Sequence, residues 1–181
     1  MELELRNIEM NELNRDLFSH FIRRQVVTEC FRKMEGQWVT KENPFVDDWS
    51  EEDYEELLYY LKNTVRTGGL LVGSFYDNKL KGFVSVEGNP IGSKGQYYDL
   101  SSIHVSEDCR GQGIGKLLFL RAKEYVRERG GKKLYISAHS AVETQAFYRS
   151  MGCVEAEEYI AEHVAREPRD CQLECDVILK S

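Results

Sequence analysis

The sequence predicts an α+β fold, a mixed, twisted sheet of about seven strands flanked by about four helices. Short apolar runs indicate strands, and longer stretches repeat their apolar residues at helical spacing. The two kinds of segment follow each other as strand, two helices, meander, helix, strand, helix and hairpin. With 181 residues, no internal repeat and no low-complexity linker, residues 1–181 are expected to form one domain.

The N-terminal third is expected to contain one strand and two helices. Leu3 and Leu5 alternate with polar residues, as in a short strand. From Asn11, which can serve as an N-cap, apolar residues recur at helical spacing. Residues 36–49 are expected to be an irregular connection. A second helix is predicted to begin at Ser50, because its hydroxyl can cap the helix and acidic residues fill the first turn.

The middle of the chain predicts a three-stranded meander. Residues 69–76 and 80–86 flank Asp77–Asn78, a turn signal, and are expected to form a hairpin. After a loop rich in glycine, residues 97–105 have the apolar and aromatic character of a third strand.

The C-terminal part predicts a helix, a strand, a helix and a hairpin. The first helix ends at Gly130–Gly131, since glycines favour helix C-termini. Residues 134–138 are expected to be a strand, and residues 140–143 (Ser-Ala-Val-Glu) a capping box that opens the next helix. Residues 153–159 and 172–179 are expected to be strands on either side of a loop.

Charge and composition limit the possible partners. The 24 Lys+Arg and 31 Asp+Glu give a net charge of −7, which argues against nucleic acid and favours cationic partners. The sequence contains neither the roughly 20 consecutive apolar residues of a membrane span nor a secretory signal. The five cysteines are scattered and are expected to be reduced thiols without a metal site. We therefore expect a cytoplasmic protein that binds no membrane.

A glycine-rich segment, Arg110 to Lys116 (Arg-Gly-Gln-Gly-Ile-Gly-Lys), separates a predicted strand from a predicted helix. Glycines let backbone N–H groups approach an anion closely, and the helix N-terminus adds free donors and a positive dipole end. Arg110 and Lys116 supply full charges. This combination suits a pyrophosphate, although a simple glycine turn that caps the helix has the same local pattern.

Two common phosphate motifs do not fit this loop. A Walker loop requires Ser or Thr after Gly115–Lys116, where the sequence has Leu117, and a glycine at the position of Arg110. A dinucleotide fingerprint requires a third glycine at the position of Lys116 and the opening strand of a βαβ unit. The pattern Arg-x-x-Gly-x-Gly, in contrast, matches at Arg110, Gly113 and Gly115.

This pattern resembles the pyrophosphate loop of the GNAT superfamily of N-acetyltransferases. Residues 103–110 resemble the strand that leads into that loop, although its common proline is replaced. Residues 146–153 resemble the family's Phe-Tyr-x-x-x-Gly-Phe signature, with Cys153 in place of the last aromatic. The resemblance covers residues 69–152, and residues 167–173 look similar to small bacterial members. It implies a GNAT-like fold and acetyl-CoA as the acyl donor.

In this family two strands splay apart and the pantetheine arm of the cofactor lies between them. The resemblance assigns cofactor contacts to backbone groups of the first strand and to the glycine loop. The expected contacts are Ile103, His104 and Val105 on the strand and Arg110, Gly111, Gln112, Gly113, Ile114, Gly115 and Lys116 in the loop.

The resemblance also suggests catalytic residues. Tyr148 matches a tyrosine that many members place near the sulfur as a general acid; its alternative role is core packing. Asp99 lies where histone-type members carry their general base; its alternative is an exposed position at the strand entrance. Strand alternation is expected to put Asp99 on the same face as Ile103 and Val105. His139 and His163 are weaker candidates for substrate contact, since lone histidines are more often surface residues.

Seven of the ten residues from Asp47 to Glu56 are acidic. They form either a solvated helix start favoured by the dipole or an acidic rim that attracts a polyamine, an aminoglycoside or a basic peptide.

The sequence thus predicts an acetyl-CoA-dependent N-acetyltransferase that acts on a primary amine by direct attack in a ternary complex. The acceptor is expected to be a small-molecule or peptide amine, including cationic ones, and a homodimer is one expectation for the assembly. Two alternatives stay open: a non-catalytic acyl-CoA-binding or interaction module of the same fold, and a transferase for another acyl group, such as succinyl or aminoacyl.

Overall fold

The computed structural model describes residues 2–178. The strands are β1 (Leu3–Asn7), β2 (Arg24–Met34), β3 (Gln37–Asp48), β4 (Leu70–Tyr76), β5 (Lys79–Val86), β6 (Tyr97–Val105), β7 (Lys133–Ala138), β8 (Val154–Glu155) and β9 (Cys171–Asp176). The helices are α1 (Glu51–Arg66), α2 (Ile114–Glu128), α3 (Val142–Ser150) and α4 (Ala161–Arg166).

Seven of these strands form one sheet, in the order β1-β4-β5-β6-β7-β9-β8. Only β6 and β7 pair in parallel; the other pairs are antiparallel. The predicted mixed sheet with four helices is therefore confirmed. Among residues 2–178, no helix has both the length and the apolar character needed to cross a membrane.

The sheet buries an apolar cluster on each face. On one face α2 packs its apolar stripe, including Leu118 and Val126, against β4, β5 and β6. On the other face α1 and the N-terminal segment cover Phe83 with an aromatic group that includes Phe18 and Trp49. The candidate site lies beside β6 and β7, which are interior strands of the sheet.

The N-terminal segment differs from the prediction. Two 3-10 turns, Met10–Glu12 and Arg15–Phe18, replace the expected helix, and Asn14 rather than Asn11 caps the second by accepting from the Asp16 N–H. Most of the expected irregular connection is instead strand β3, which pairs with β2. The hairpin turn needs positive φ at two successive residues, and Glu35 (φ 51°) and Gly36 (φ 79°) provide it.

The capping box predicted at residues 140–143 is wrong. The Ser140 hydroxyl accepts from the Arg32 guanidinium at 2.8 Å, and the Ser140 carbonyl accepts from the Phe31 N–H at 2.8 Å. Both of these hydrogen bonds of Ser140 are with residues of β2. Ala141 is the N-cap of α3 and makes no side-chain hydrogen bond to the helix. The N-cap predicted at Ser50 is confirmed, and it belongs to a capping box, because Ser50 and Asp53 exchange both hydrogen bonds.

The last predicted hairpin is present but shorter. Of the expected strand at residues 153–159 only β8 is formed, and α4 occupies part of the expected loop. The strand predicted at residues 172–179 is β9, which ends at Asp176; Leu179 lies outside the described residues.

A β-bulge in β6 changes which residues share a face. Ser85 is opposite Ser102 and Val86 is opposite Leu100, so Ser101 is an extra residue without a partner. Leu100, Ile103 and Val105 all belong to the cluster under α2. In a strand without a bulge, Leu100 would point to the opposite face from the other two. The expectation that Asp99 shares a face with Ile103 and Val105 is therefore wrong, since the bulge reverses the alternation between them.

Candidate active site

The parallel strands β6 and β7 separate after a short paired stretch. Their register covers only residues 97–99 against residues 133–135. Beyond it, β6 stays bonded to β5, while residues 136–138 pair with β9. The divergence opens a cleft of about 1010 Å³, here called the cofactor cleft, whose walls come from β6, β7, the glycine loop and α3.

The glycine loop lies at the mouth of this cleft and leads into α2. Gly111 (φ 78°) and Gly113 (φ 83°) both have left-handed backbone, and a Cβ at either would meet no atom within 4 Å. Gly113 is the N-cap of α2, whose first N–H groups have no acceptor within the helix. A Cβ at Gly115 would lie 3.2 Å from the Phe147 ring, so this glycine allows close packing instead. The loop therefore offers donors and open space for an anion.

Cationic side chains line the same end of the cleft. Arg110 donates from Nε to the Val105 carbonyl at 3.1 Å, and Lys116 and Lys123 also line the cleft. Burial and the nearby Arg23 guanidinium lower the pKa of Arg110. Arg23 and Arg110 both line the cleft, and a bound anion would stabilise the two positive charges.

Tyr148, on α3, lines the cofactor cleft from the opposite wall. It is 6% exposed and packs among aromatic rings, 6.3 Å from Phe119 and 5.3 Å from Phe147 between centroids. Burial raises the pKa of the Tyr148 hydroxyl well above its usual 10. The phenol is protonated at neutral pH, as it is at the ordinary pKa of tyrosine, and the raised pKa makes it a weaker acid.

A second cavity of about 550 Å³, here called the acceptor cavity, lies beside β6 and is covered by α1 and α4. Ser101 and Ser102 line both cavities, so the two meet at the bulge. Asp99 lines only the acceptor cavity, and Tyr148 lines only the cofactor cleft.

Asp99 is buried and paired. It is 8% exposed, which contradicts the alternative of an exposed strand entrance. Its Oδ2 lies 3.1 Å from Nε2 of His163, and its buried Oδ1 has no hydrogen-bond partner among residues 2–178. The hydrogen bond to Asp99 raises the pKa of His163 above its usual 6.5, against the lowering effect of burial. His163 also stacks on the Tyr135 ring at 5.4 Å.

This pair predicts a pH-dependent stability. Because the pKa of His163 is raised in the folded protein, its protonated form stabilises the fold below about pH 6.5, and this contribution is lost as the pH rises through the folded pKa. The melting temperature of His163→Gln should therefore fall further below that of the parent protein near pH 5.5 than near pH 8.5. His20→Gln is the control, since His20 is exposed and forms no ion pair in the described chain. A pH-independent difference would contradict the pairing.

Three residues of the site were not predicted from the sequence. Arg23 is 8% exposed, lines the cofactor cleft, bonds Asp47 at 3.0 Å and lies 5.0 Å from the Trp49 ring. Glu87 follows β5 and accepts from the hydroxyls of Ser101 and Thr64. A lone carboxylate at the end of the apolar run of residues 80–86 could have indicated Glu87; no local signal identifies Arg23 or Ser101.

His104 is on the strand of the cofactor cleft, but its ring turns to the other face. It packs against Trp49 at 4.7 Å and Phe83 at 5.5 Å. Burial, together with the Arg23 and Arg110 charges, lowers the pKa of His104 well below its usual range. Its imidazole is therefore neutral, and only its backbone is available to the cleft.

The acidic residues from Asp47 to Glu56 have different roles: some form ion pairs and others line the acceptor cavity. Asp47 pairs with Arg23 at 3.0 Å, and Glu51 pairs with Arg15 at 2.9 Å. Of the seven acidic residues, only Asp53 and Glu56 line the acceptor cavity. Most of the stretch thus stabilises the start of α1 and its neighbours.

A glycine loop at a helix N-terminus, beside two diverging strands of a mixed sheet, defines an acyl-CoA-dependent acyltransferase. The chain belongs to the acetyltransferase (GNAT) family, which matches residues 32–153. Membership makes the protein an acetyl-CoA-dependent acetyltransferase.

Solved structures share the fold at low sequence identity. Nourseothricin acetyltransferase superposes with a TM-score of 0.70 at 16% identity, over 98% of this chain and 100% of that chain. A candidate streptothricin acetyltransferase from Bacillus anthracis, in complex with acetyl coenzyme A, gives 0.69 at 17% identity over 96% of both chains. The PaiA N-acetyltransferase from Thermoplasma acidophilum, in complex with coenzyme A, gives 0.61 at 17% identity over 97% and 99%. No curated protein sequence is significantly similar.

Proposed function

We propose that the protein transfers the acetyl group of acetyl-CoA directly to an amine of an acceptor that occupies the acceptor cavity. One observation carries this proposal: two separate cavities meet at Ser101 and Ser102, on the bulge of β6. The donor and the acceptor can therefore be bound at the same time, on two sides of one strand. This geometry favours a ternary complex over an acyl-enzyme.

The cofactor cleft has the features that acetyl-CoA requires. The glycine loop and the first turn of α2 supply backbone donors for the pyrophosphate, and Arg110 and Lys116 supply charge. Residues 103–105 line the cleft, where their backbone groups would contact the pantetheine arm. Structures of the same fold contain acetyl coenzyme A or coenzyme A, which supports this assignment.

The transfer requires a base for the amine, stabilisation of the carbonyl oxygen and an acid for the thiolate, and the two cavities contain a group for each. An amine bound beside Asp99 can lose its proton to the carboxylate or to a water that it holds. Backbone N–H groups of β6 beyond residue 99, where the pairing with β7 has ended, can stabilise charge on the carbonyl oxygen. Tyr148 can protonate the departing thiolate from the cofactor side.

The cysteine nearest the loop is poorly suited to carry an acyl group. Cys109 is buried, and burial raises the pKa of its thiol. A thiol that is less ionised than usual is a weaker nucleophile in its resting state. Direct attack by the amine needs no such intermediate.

The proposed function is tested by release of the CoA thiol. Incubation with acetyl-CoA and a panel of amines should give amine-dependent thiol release and an acetylated amine detectable by mass spectrometry. Binding of acetyl-CoA without release for any amine would favour the non-catalytic module. Release that is faster with succinyl-CoA than with acetyl-CoA would favour a different acyl group.

Gly113→Val is expected to weaken acetyl-CoA binding at least tenfold, about 1.4 kcal/mol. A β-branched side chain disfavours the φ of 83° and would occupy the open space beside the α2 N-terminus. Calorimetric titration with acetyl-CoA measures the effect.

Gly130→Val is the matched control for this variant. Gly130 has φ 76° and open space around its Cβ, but it lies at the other end of α2. It should therefore carry a similar backbone strain while keeping the parent affinity. Equal affinities in a folded Gly113→Val protein would remove the loop from pyrophosphate binding.

A further inference from the structure

We propose that the acceptor is a linear polyamine, an aliphatic chain with at least two ammonium groups that lies along the acceptor cavity. One amine would react beside Asp99, and a second would bind between α1 and α4. This inference rests on the proposed function, because it names the class of acceptor for the same site.

The lining of the acceptor cavity is strongly acidic. Its only arginine or lysine is Arg166, and its only histidine is His163, which is already paired with Asp99. Within residues 2–178, none of the lining carboxylates forms an ion pair with an arginine or lysine. The carboxylates are Asp53 and Glu56 on α1, Glu87 after β5, Asp99 on β6, and Glu162 and Glu167 at α4.

The inner end of the cavity contains an unsatisfied acceptor. The side chain of Asp99 is 12% exposed, and its Oδ1 has no partner in the described chain. A buried carboxylate oxygen without a donor is costly, and an ammonium group would satisfy both its hydrogen bonding and its charge. Glu87 lies next to it, since the Glu87 N–H donates to the Asp99 carbonyl at 2.9 Å. The inner end therefore suits the reactive amine.

A second acidic position lies farther along α1. Thr64 bonds Glu87 and so marks the inner end, whereas Glu56 and Asp53 are eight and eleven residues earlier on the same helix. At 1.5 Å per residue these backbone positions are roughly 12 and 16 Å away. The side chains of Glu56 and Glu87 shorten this gap, so an aliphatic diamine of several methylenes can span it.

Between the two acidic ends the lining is largely apolar or aromatic. Leu57 and Leu61 on α1 and Ile160 at the start of α4 line the cavity together with Trp49 and Tyr60. Methylene groups bury favourably against such side chains, and an aromatic face also attracts an ammonium group. The alternation of acidic, apolar and acidic surface matches the alternation of charge and methylenes in a polyamine. A single-charged amine would leave the outer carboxylates unmatched.

The test compares 1,7-diaminoheptane with n-heptylamine as acceptors, by CoA thiol release at saturating acetyl-CoA. We expect kcat/KM to be at least tenfold higher for the diamine. In Glu56→Gln this preference should largely disappear through loss of diamine activity, while the monoamine is unaffected. Glu55→Gln is the matched control, since Glu55 is exposed on the same helix turn but does not line the cavity. In this variant the preference should be kept.

The possible outcomes separate this inference from the proposed function. Equal kcat/KM for the two amines, or equal loss in Glu56→Gln and Glu55→Gln, would overturn the polyamine site and leave the acetyltransferase activity standing. If neither amine releases thiol, calorimetric titration of the diamine into the CoA-bound protein shows whether the cavity binds a diamine. Binding that depends on Glu56 would uphold the site and count against the transfer, and absence of binding would overturn the site as well.

Discussion

Asp99→Asn is expected to lower kcat by about 10²–10⁴-fold, the usual contribution of a positioned base. The amide keeps the size of the side chain but cannot accept the proton of the attacking amine. Activity should recover as the pH rises, because more of the amine then arrives already deprotonated. Acetyl-CoA affinity should change little, since Asp99 lines only the acceptor cavity. Single-turnover kinetics across the pH range measure the effect on the chemical step.

Glu87→Gln tests whether the neighbouring carboxylate, and not Asp99, accepts the proton. Glu87 lies beside Asp99 but is held by the hydroxyls of Thr64 and Ser101, so we expect a smaller loss. Full kcat in Asp99→Asn, with chemistry as the slow step, would remove Asp99 from proton transfer. A large loss in Glu87→Gln alone would transfer the role to Glu87. Full activity in both variants would leave solvent as the base.

Tyr148→Phe is the second change with a large expected effect, again about 10²–10⁴-fold in kcat. The phenol is protonated at neutral pH, and only this hydroxyl is removed, since phenylalanine fills the same space beside Phe119 and Phe147. The melting temperature and the acetyl-CoA affinity should therefore stay close to those of the parent protein.

The control for Tyr148 is Tyr125→Phe. The Tyr125 hydroxyl donates to the Gly68 carbonyl at 2.9 Å and does not line the cofactor cleft. Its removal should leave kcat unchanged. If Tyr148→Phe behaves in the same way, Tyr148 has only a packing role in α3.

Much of the fold could be predicted because its signals are local. Strand β6 was predicted with both of its boundaries, and the capping hydroxyl of Ser50 identified the start of α1. The N-terminal prediction was wrong because Leu13, Leu17 and Phe21 recur at helical spacing without forming an α-helix. Two 3-10 turns are enough to bury these side chains against the sheet. The apolar spacing therefore indicated which residues are buried, not that they form an α-helix.

The candidate site was only partly predictable for a related reason. The glycine loop is one continuous segment with its own backbone requirements, and the sequence therefore revealed it. The acceptor cavity is assembled from α1, α4 and the ends of β5 and β6, and the pairing of Asp99 with His163 depends on their approach in three dimensions. The bulge at Ser101 exists only relative to β5, so alternation along β6 alone gave the wrong face for Asp99.

The two cavities meet at one bulge but have largely different walls, so the residues around the donor are mostly not the residues around the acceptor. The groups facing the cofactor cleft come mainly from β6, β7, the loop and α3, whereas the acidic wall of the acceptor cavity comes largely from α1 and α4. Substitutions in these two helices can therefore alter the choice of acceptor while the binding surface for the donor is inherited unchanged. The bulge is thus the junction of two walls whose residues can change independently of each other.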